Sequence, residues 1–195
     1  MRIIAGKYKA KVINSPKTEK TRPTLDRVKE AMFSILNPYI VDSNVLDLFS
    51  GTGNLGIEAI SRGAKFAWLN DKENVAISTI ISNIELTNSK SYVKITKKDF
   101  VKCLKQIQSL KMTFDIIFLD PPYDTKLAIE TLEYISDNKE ILSKDGIIVY
   151  ETDKNFITKL EKNNPKLSLK FDNLECVDSR NYGNVILKFF KWREV

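Results

Sequence analysis

Asp115-Ile116-Ile117-Phe118-Leu119-Asp120-Pro121-Pro122-Tyr123 decides how the rest of the chain is read. Its apolar run, rich in branched side chains, predicts a buried parallel strand. The strand stops at Asp120, and two prolines end the ladder because neither has a backbone N–H. In α/β proteins, ligands bind in the crevice at the carboxyl ends of such strands. A carboxylate, two prolines with free carbonyls and one aromatic ring are therefore presented together at a binding edge. Asp120 and the Pro121 carbonyl can accept hydrogen bonds from an exocyclic amino group, and Tyr123 can stack on the flat base that carries it. Asp120, Pro121, Pro122 and Tyr123 form the candidate catalytic set. The competing reading is a plain strand-ending turn, where Pro-Pro is common.

A second signal lies upstream. Val45-Leu46-Asp47-Leu48-Phe49 is a short apolar strand that runs into Ser50-Gly51-Thr52-Gly53-Asn54-Leu55-Gly56, and a helix begins at Ile57-Glu58-Ala59-Ile60. Gly51, Gly53 and Gly56 fit the strand–glycine turn–helix pattern of dinucleotide-binding folds. Asp71 follows 20 residues after Gly51, behind the apolar stretch Phe66-Ala67-Trp68-Leu69, where a carboxylate can hold two ribose hydroxyls. These residues alone do not separate NAD from other adenosine ligands. Asp47 does, because a pyrophosphate needs backbone N–H groups and a positive helix end beside the glycines, and a carboxylate there repels it. S-adenosylmethionine carries a sulfonium and an ammonium instead, which Asp47 attracts. The bland alternative for Asp47 is a cap on the glycine turn.

Composition sets outer limits. A chain of 195 residues is read as one domain, a basic extension over 1–23 and a catalytic core over 24–195. No run of 18 apolar residues and no leader pattern is found, which predicts a cytoplasmic protein without membrane attachment. Two cysteines, Cys103 and Cys176, are too few for a disulfide framework or zinc site, and the absence of histidine excludes a Ser-His-Asp triad. No metal is expected. Residues 1–31 hold nine Lys or Arg against three Asp or Glu, a net of +6, whereas the remainder holds 22 of each sign. A basic segment placed ahead of the glycine motif is the footprint of a nucleic-acid partner, or else a solvated charged face.

A pass along the chain predicts an antiparallel hairpin within 2–13 and a polar loop over Lys17–Arg22. A helix then starts at the N-cap Thr24, carries Val28, Met32, Ile35 and Leu36 on one face, and ends at Asn37-Pro38. Strands follow at 45–49, 66–70, 92–95, 115–119 and 146–151, with helices at 55–62, 74–87, 100–109, 126–137 and 154–162. Two last strands near 168–177 and 184–191 are joined by Ser179-Arg180-Asn181-Tyr182-Gly183 as a hairpin. The alternation implies a mainly parallel sheet. Asn83 is expected to brace the sheet rather than touch ligand. Asp99 can accept from an adenine amino group or cap a helix; Arg180 and Tyr182 can reach substrate or form an ordinary turn.

Asp47-Leu48-Phe49-Ser50-Gly51-Thr52-Gly53 resembles the first motif of class I S-adenosylmethionine-dependent methyltransferases. Asp120-Pro121-Pro122-Tyr123 resembles the motif of those that methylate exocyclic amino nitrogens. Arg2-Ile3-Ile4-Ala5-Gly6, the string Thr21-Arg22-Pro23-Thr24-Leu25-Asp26-Arg27-Val28-Lys29-Glu30-Ala31-Met32-Phe33 and Asn83-Ile84-Glu85 are similar to the RsmD family, bacterial methyltransferases acting on guanine N2 in small-subunit (16S) ribosomal RNA. The likeness runs from Arg2 to about Phe190; Ala5 stands where the family has Gly, and Asp71 where it has Glu. It implies an α/β, Rossmann-like fold: a seven-stranded, mostly parallel sheet with one antiparallel strand. It also implies S-adenosylmethionine as cofactor, held by Asp47, Phe49, Gly51, Gly53, Asn54, Asp71, Lys72, Asp99 and Phe100. Ribosomal RNA or the small ribosomal subunit is the implied partner of a monomer, met by Lys7, Lys9, Lys11, Arg22, Arg27, Arg180 and Tyr182. A methyltransferase for another RNA or DNA base, and a nicotinamide-dependent oxidoreductase, are the alternative functions.

Overall fold

The computed structural model describes residues 1–15, 23–122, 125–163 and 169–194. In chain order the elements are α1 (Pro23–Ile40), β1 (Asn44–Asp47), α2 (Asn54–Ser61), β2 (Phe66–Asp71), α3 (Asn74–Thr87) and β3 (Val93–Lys97). There follow α4 (Phe100–Ser109), β4 (Phe114–Leu119), α5 (Leu127–Asp137), β5 (Leu142–Asp153), α6 (Lys154–Asn163), β6 (Leu174–Tyr182) and β7 (Val185–Trp192). The strands form one sheet in the order β3-β2-β1-β4-β5-β7-β6. Only β7 runs against its neighbours, β5 and β6, and the parallel pairs cover the rest. The predicted seven-stranded sheet with one antiparallel strand is what forms.

Central strands read as unbroken apolar runs because both faces are covered. On one face Val45, Leu69, Phe118 and Val149 pack with Met32, Phe33 and Leu36 of α1 and with Ile57 of α2. On the other, Leu46, Trp68, Leu119 and Tyr150 pack with Leu104 of α4 and Leu132 of α5. Ring contacts fix both layers: Phe33 meets Phe118 at 5.7 Å and Trp68 meets Phe114 edge-on at 6.3 Å. The order of connection reverses between β1 and β4, so the crevice expected of this fold opens above those two strands. Among the described residues, no helix is long and apolar enough to cross a membrane.

Four local expectations change. The helix predicted to end at Asn37-Pro38 continues through Pro38 to Ile40. Proline in the last turn forfeits one bond, and the buried stripe Met32, Leu36 and Ile40 holds the turn regardless. Ser179–Tyr182 is strand, not turn; β6 pairs with β7 as far as Tyr182↔Val185, and Gly183 (φ 64) makes the reversal with Asn184. β5 begins at Leu142, four residues before the predicted start, because its polar Lys144 and Asp145 lie exposed. The N-terminal hairpin has one bridge, Arg2↔Val12, and residues 5–10 wind as turns between its arms. The loop Lys17–Arg22 and the capping side chain of Thr24 lie outside the described residues.

Candidate active site

The glycine turn is built by strand, turn and helix together. Asp47 ends β1 and is 1% exposed; its Oδ2 accepts from the Gly56 N–H at 3.1 Å, while its carbonyl accepts from Ser50 Oγ at 2.6 Å. The carboxylate thus satisfies an orphan donor in the first turn of α2. Gly51 (φ 53) and Gly53 (φ 76) take left-handed conformations that L side chains resist. Nothing lies within 4 Å of where a Cβ on Gly51 would stand, so the turn presents an open ledge. Gly56 serves packing instead: a Cβ there would meet Leu69 Cδ2 at 2.1 Å.

Around that ledge the side chains are acceptors. Asp71 takes the Gly51 N–H on Oδ2 and the Glu73 N–H on Oδ1, both at 2.9 Å. This fixes its carboxylate at the rim and leaves each oxygen a further lone pair. Asp99 caps α4 by accepting from the Val101 N–H at 3.0 Å on Oδ1, leaving Oδ2 for other use. Both roles considered for Asp99 are therefore compatible. Phe49 and Phe100 pack at 6.0 Å. Asn54 Oδ1 accepts from Lys29 Nζ at 2.8 Å, and Lys72 sits at the exposed rim, 4.0 Å from Glu73. Carboxylates beside a phosphate-sized ledge disfavour a pyrophosphate and suit a ligand offering hydroxyls, an amino group and positive charge.

The second half of the crevice follows β4. Asp120 is partly buried and Pro121 buried. Thr125 Oγ1 donates to the Pro122 carbonyl at 2.8 Å, so one of the two carbonyls predicted to be free is engaged. Tyr123 lies outside the described residues. Burial pushes Asp47 up to about 7, with the Asp120 and Asp71 charges adding to it and the Gly56 N–H opposing it. A carboxyl raised above its unfolded value of 3.8 costs stability as pH climbs toward 7, and the penalty is complete above that. Asp47→Asn should therefore raise stability at pH 8, on the order of 1–3 kcal/mol, and leave it nearly unchanged at pH 4. Urea unfolding at the two pH values measures this; equal shifts at both would mean that Asp47 ionises without penalty.

The basic N-terminal segment divides into used and unused charges. Lys29 is buried, with Nζ 3.0 Å from Glu58 and donating to the Arg2 carbonyl at 2.7 Å. Glu58, fully buried, also accepts from Arg62 and from the backbone N–H groups of Ile4 and Ala5. Arg2 pairs with Asp26 at 3.1 Å, and Lys11 Nζ donates to the Leu86 carbonyl in the last turn of α3. Lys7, Lys9 and Arg27 are exposed, with Lys7 Nζ lying over the Tyr92 and Tyr8 rings at 5.4 and 5.5 Å. Lys7 N–H bonds Ser61, at the end of α2 away from the glycine turn, so the hairpin tip stands roughly 12 Å of helix from the ledge. Arg22 lies outside the described residues. Arg180 is exposed and held 2.9 Å from Asp178, and Tyr182 packs half-buried against the α1 face of the core. Asn83 braces the glycine turn rather than the sheet, since Nδ2 donates to the Thr52 and Asn14 carbonyls at 2.9 and 3.0 Å.

Sequence reasoning did not single out Glu58, Lys29 or Glu151. For Glu58 the signal was a charge inside an apolar helical run, and a carboxylate at that place needs buried partners. Glu151 ends the apolar run of β5 as Asp120 ends that of β4.

Comparison with known proteins shows the family. The family model described as "Conserved hypothetical protein 95" matches residues 1–191. Ribosomal RNA small subunit methyltransferase D of Haemophilus influenzae is 36% identical over 155 residues, 79% of each chain. Its Escherichia coli K12 counterpart is 33% identical over 153 residues, covering 78% of this chain and 75% of that one. The solved structure of yhhF from Escherichia coli superposes with a TM-score of 0.80 at 28% identity, over 99% of this chain and 98% of the other. With the carboxylates and the glycine turn in place, these matches put the chain within the conserved hypothetical protein 95 family, the RsmD family of methyltransferases.

Proposed function

We propose that this protein transfers a methyl group from S-adenosylmethionine to the exocyclic N2 of a guanine in 16S ribosomal RNA. The single observation that carries the reading is the pairing of a carboxylate-bearing glycine ledge (Asp47 and Asp71) with Asp120-Pro121-Pro122 at the ends of the neighbouring strands β1 and β4. The relatives' names support ribosomal RNA as the substrate class. S-adenosylmethionine supplies a methyl group made electrophilic by its sulfonium. Asp71 is assigned to the ribose hydroxyls, Asp99 Oδ2 to the adenine amino group, and Asp47 to the cationic methionine end.

A guanine amino lone pair is delocalised into its ring. Hydrogen bonds accepted by Asp120 and the Pro121 carbonyl favour a pyramidal nitrogen whose lone pair points away from the ring plane. Transfer then needs little beyond alignment of nitrogen, methyl and leaving group. Alkylation makes the nitrogen acidic, and its proton passes to Asp120 or to water. The base must first leave its stack at a cost of a few kcal/mol. Stacking on Tyr123, worth about 1–3 kcal/mol, offsets part of this.

Methyl transfer from labelled cofactor to total RNA from cells lacking the gene, followed by nucleoside analysis, tests the reading. Labelled N2-methylguanosine is expected. N6-methyladenosine would retain the mechanism and overturn the guanine assignment.

Contact with RNA is assigned to the exposed Lys7, Lys9 and Arg27. Replacing all three with glutamine should weaken RNA binding and flatten its salt dependence, by roughly 0.7 in log–log slope for each phosphate no longer neutralised. Cofactor affinity should hold. Binding measured at several salt concentrations decides this, and an unchanged slope would show that these side chains face only solvent.

A further inference from the structure

The carboxyl edge of the sheet holds an acidic residue that the proposed chemistry does not use. Glu151 lies on β5, one position beyond the Leu119↔Tyr150 register pair, and so stands beside Asp120. Side chains alternate along a strand. Val45, Leu69, Phe118 and Val149 all face the α1 layer. Asp47, Asp71, Asp120 and Glu151 therefore sit on that same face, each two residues further along its own strand. The order of strands places Asp71 and Asp47 over β2 and β1, and Asp120 and Glu151 over β4 and β5. The first pair belongs to the cofactor ledge. The second lies on the side where the target base must enter.

Glu151 is 8% exposed and no described donor bonds its carboxylate; among the described residues the side-chain polar atoms both sealed from solvent and unpartnered are Tyr8 Oη and Gln106 Oε1, so the Glu151 oxygens keep an opening to solvent. A mostly buried carboxylate that still reaches solvent is costly to desolvate further unless the incoming ligand brings a donor. Its neighbours offer no relief. Tyr150 and Thr152 point to the other face, where the Tyr150 hydroxyl donates to Thr152 Oγ1 at 3.0 Å. Burial and the Asp120 charge both raise the proton affinity of Glu151 well above the ordinary carboxylate range. A ligand N–H at this position would offset that cost by favouring the charged form.

We propose that Glu151 reads the target base by accepting the ring N1–H of guanine while Asp120 holds the adjacent N2 amino group. Guanine presents two neighbouring donors, N1–H and N2–H. Adenine and cytosine place a bare ring nitrogen beside their amino group, and the ionised carboxylate, the form that a guanine N1–H favours, meets it lone pair against lone pair. Two carboxylates on adjacent strands thus match the guanine edge and repel the other two. This rests on the guanine-N2 reading above and gives that reading a residue for its specificity.

The test uses the intact protein and a synthetic RNA carrying the target guanine, alongside the same RNA with 2-aminopurine there. 2-Aminopurine keeps the reacting amino group and replaces N1–H with an acceptor. The wild type should prefer guanine by at least about 30-fold in kcat/KM, because rejecting a mispaired polar group is where such sites discriminate best. Glu151→Gln can offer an amide N–H to the acceptor, so its preference should fall to within a few-fold of unity while S-adenosylmethionine affinity is kept. Glu151→Ala, followed by thermal melting, guards against a misfolded variant; it too should lose the preference. A merely structural role would lower both rates together and leave their ratio unmoved, and that result would overturn the proposal. Equal use of both bases by the wild type would overturn it as well. If the wild type methylates neither RNA at N2, the guanine reading itself has failed.

Discussion

Asp120→Ala should abolish most turnover, on the order of 10³-fold in kcat, with cofactor affinity changed less than about threefold. Asp120 stands past the end of β4, away from the Gly51–Asp71 ledge, so removing its carboxylate leaves that ledge intact. In the proposed mechanism, what disappears is the acceptor that orients the amino nitrogen. Alanine also removes one of the charges that raise Asp47 and Glu151, so the fold should not suffer. Single-turnover methyl transfer and calorimetric titration with S-adenosylmethionine separate the two effects. A variant that retained a tenth of the wild-type rate would move the reacting amino group away from Asp120.

The largest expected effect on stability lies elsewhere. Glu58 is the one acceptor shared by Lys29, Arg62 and two backbone N–H groups, at 3.0 Å or less in each case. Glu58→Ala would leave the buried Lys29 ammonium with neutral acceptors but no countercharge, and two part-buried amides without their acceptor. Breaking one side of a buried pair costs about 3–5 kcal/mol. For a chain of this length that corresponds to roughly 10 °C in Tm. Glu58→Gln, which still accepts from the amides, should lose less. Thermal unfolding followed by circular dichroism gives both numbers. A change below about 1 kcal/mol for the alanine variant would mean that Lys29 and Arg62 reach solvent.

Much of this was legible in the residues. α3 (Asn74–Thr87) and α4 (Phe100–Ser109) have the predicted bounds, because an apolar stripe is framed by polar caps. The strands that deliver Asp71 and Asp120 were visible as apolar runs ending in a carboxylate, whereas the strand read over 45–49 stops at Asp47, two residues early. Departures occurred where tertiary contacts outweigh local preference. Pro38 stays helical because Ile40 is buried beyond it. Arg180-Asn181-Tyr182 resembles a turn and becomes a strand because β7 supplies its partner. Pairings such as Lys29 with Glu58 depend on two segments meeting, and no single stretch of sequence encodes that. The charge count of residues 1–31 misled for this reason. It treated Lys29, Arg2 and Lys11 as free charges, and the fold engages all three internally.

The attachments of the N-terminal hairpin impose an order on synthesis. Asn14 exchanges hydrogen bonds with Asn83, and Ile4, Ala5 and Tyr8 bond to Glu58 and Ser61, at separations of 53 to 69 residues. This segment leaves the ribosome ahead of α2 and α3 and therefore has nowhere to dock until they have followed it. Closing loops that long carries an entropic cost that local pairing does not. The hairpin is thus made first and seated late. Because Asn83 and Lys29 join its arms to Thr52 and Asn54, the glycine turn takes its final shape only when that seating is complete. An amino-terminal fusion would burden this late step, whereas a carboxyl-terminal one would leave it alone.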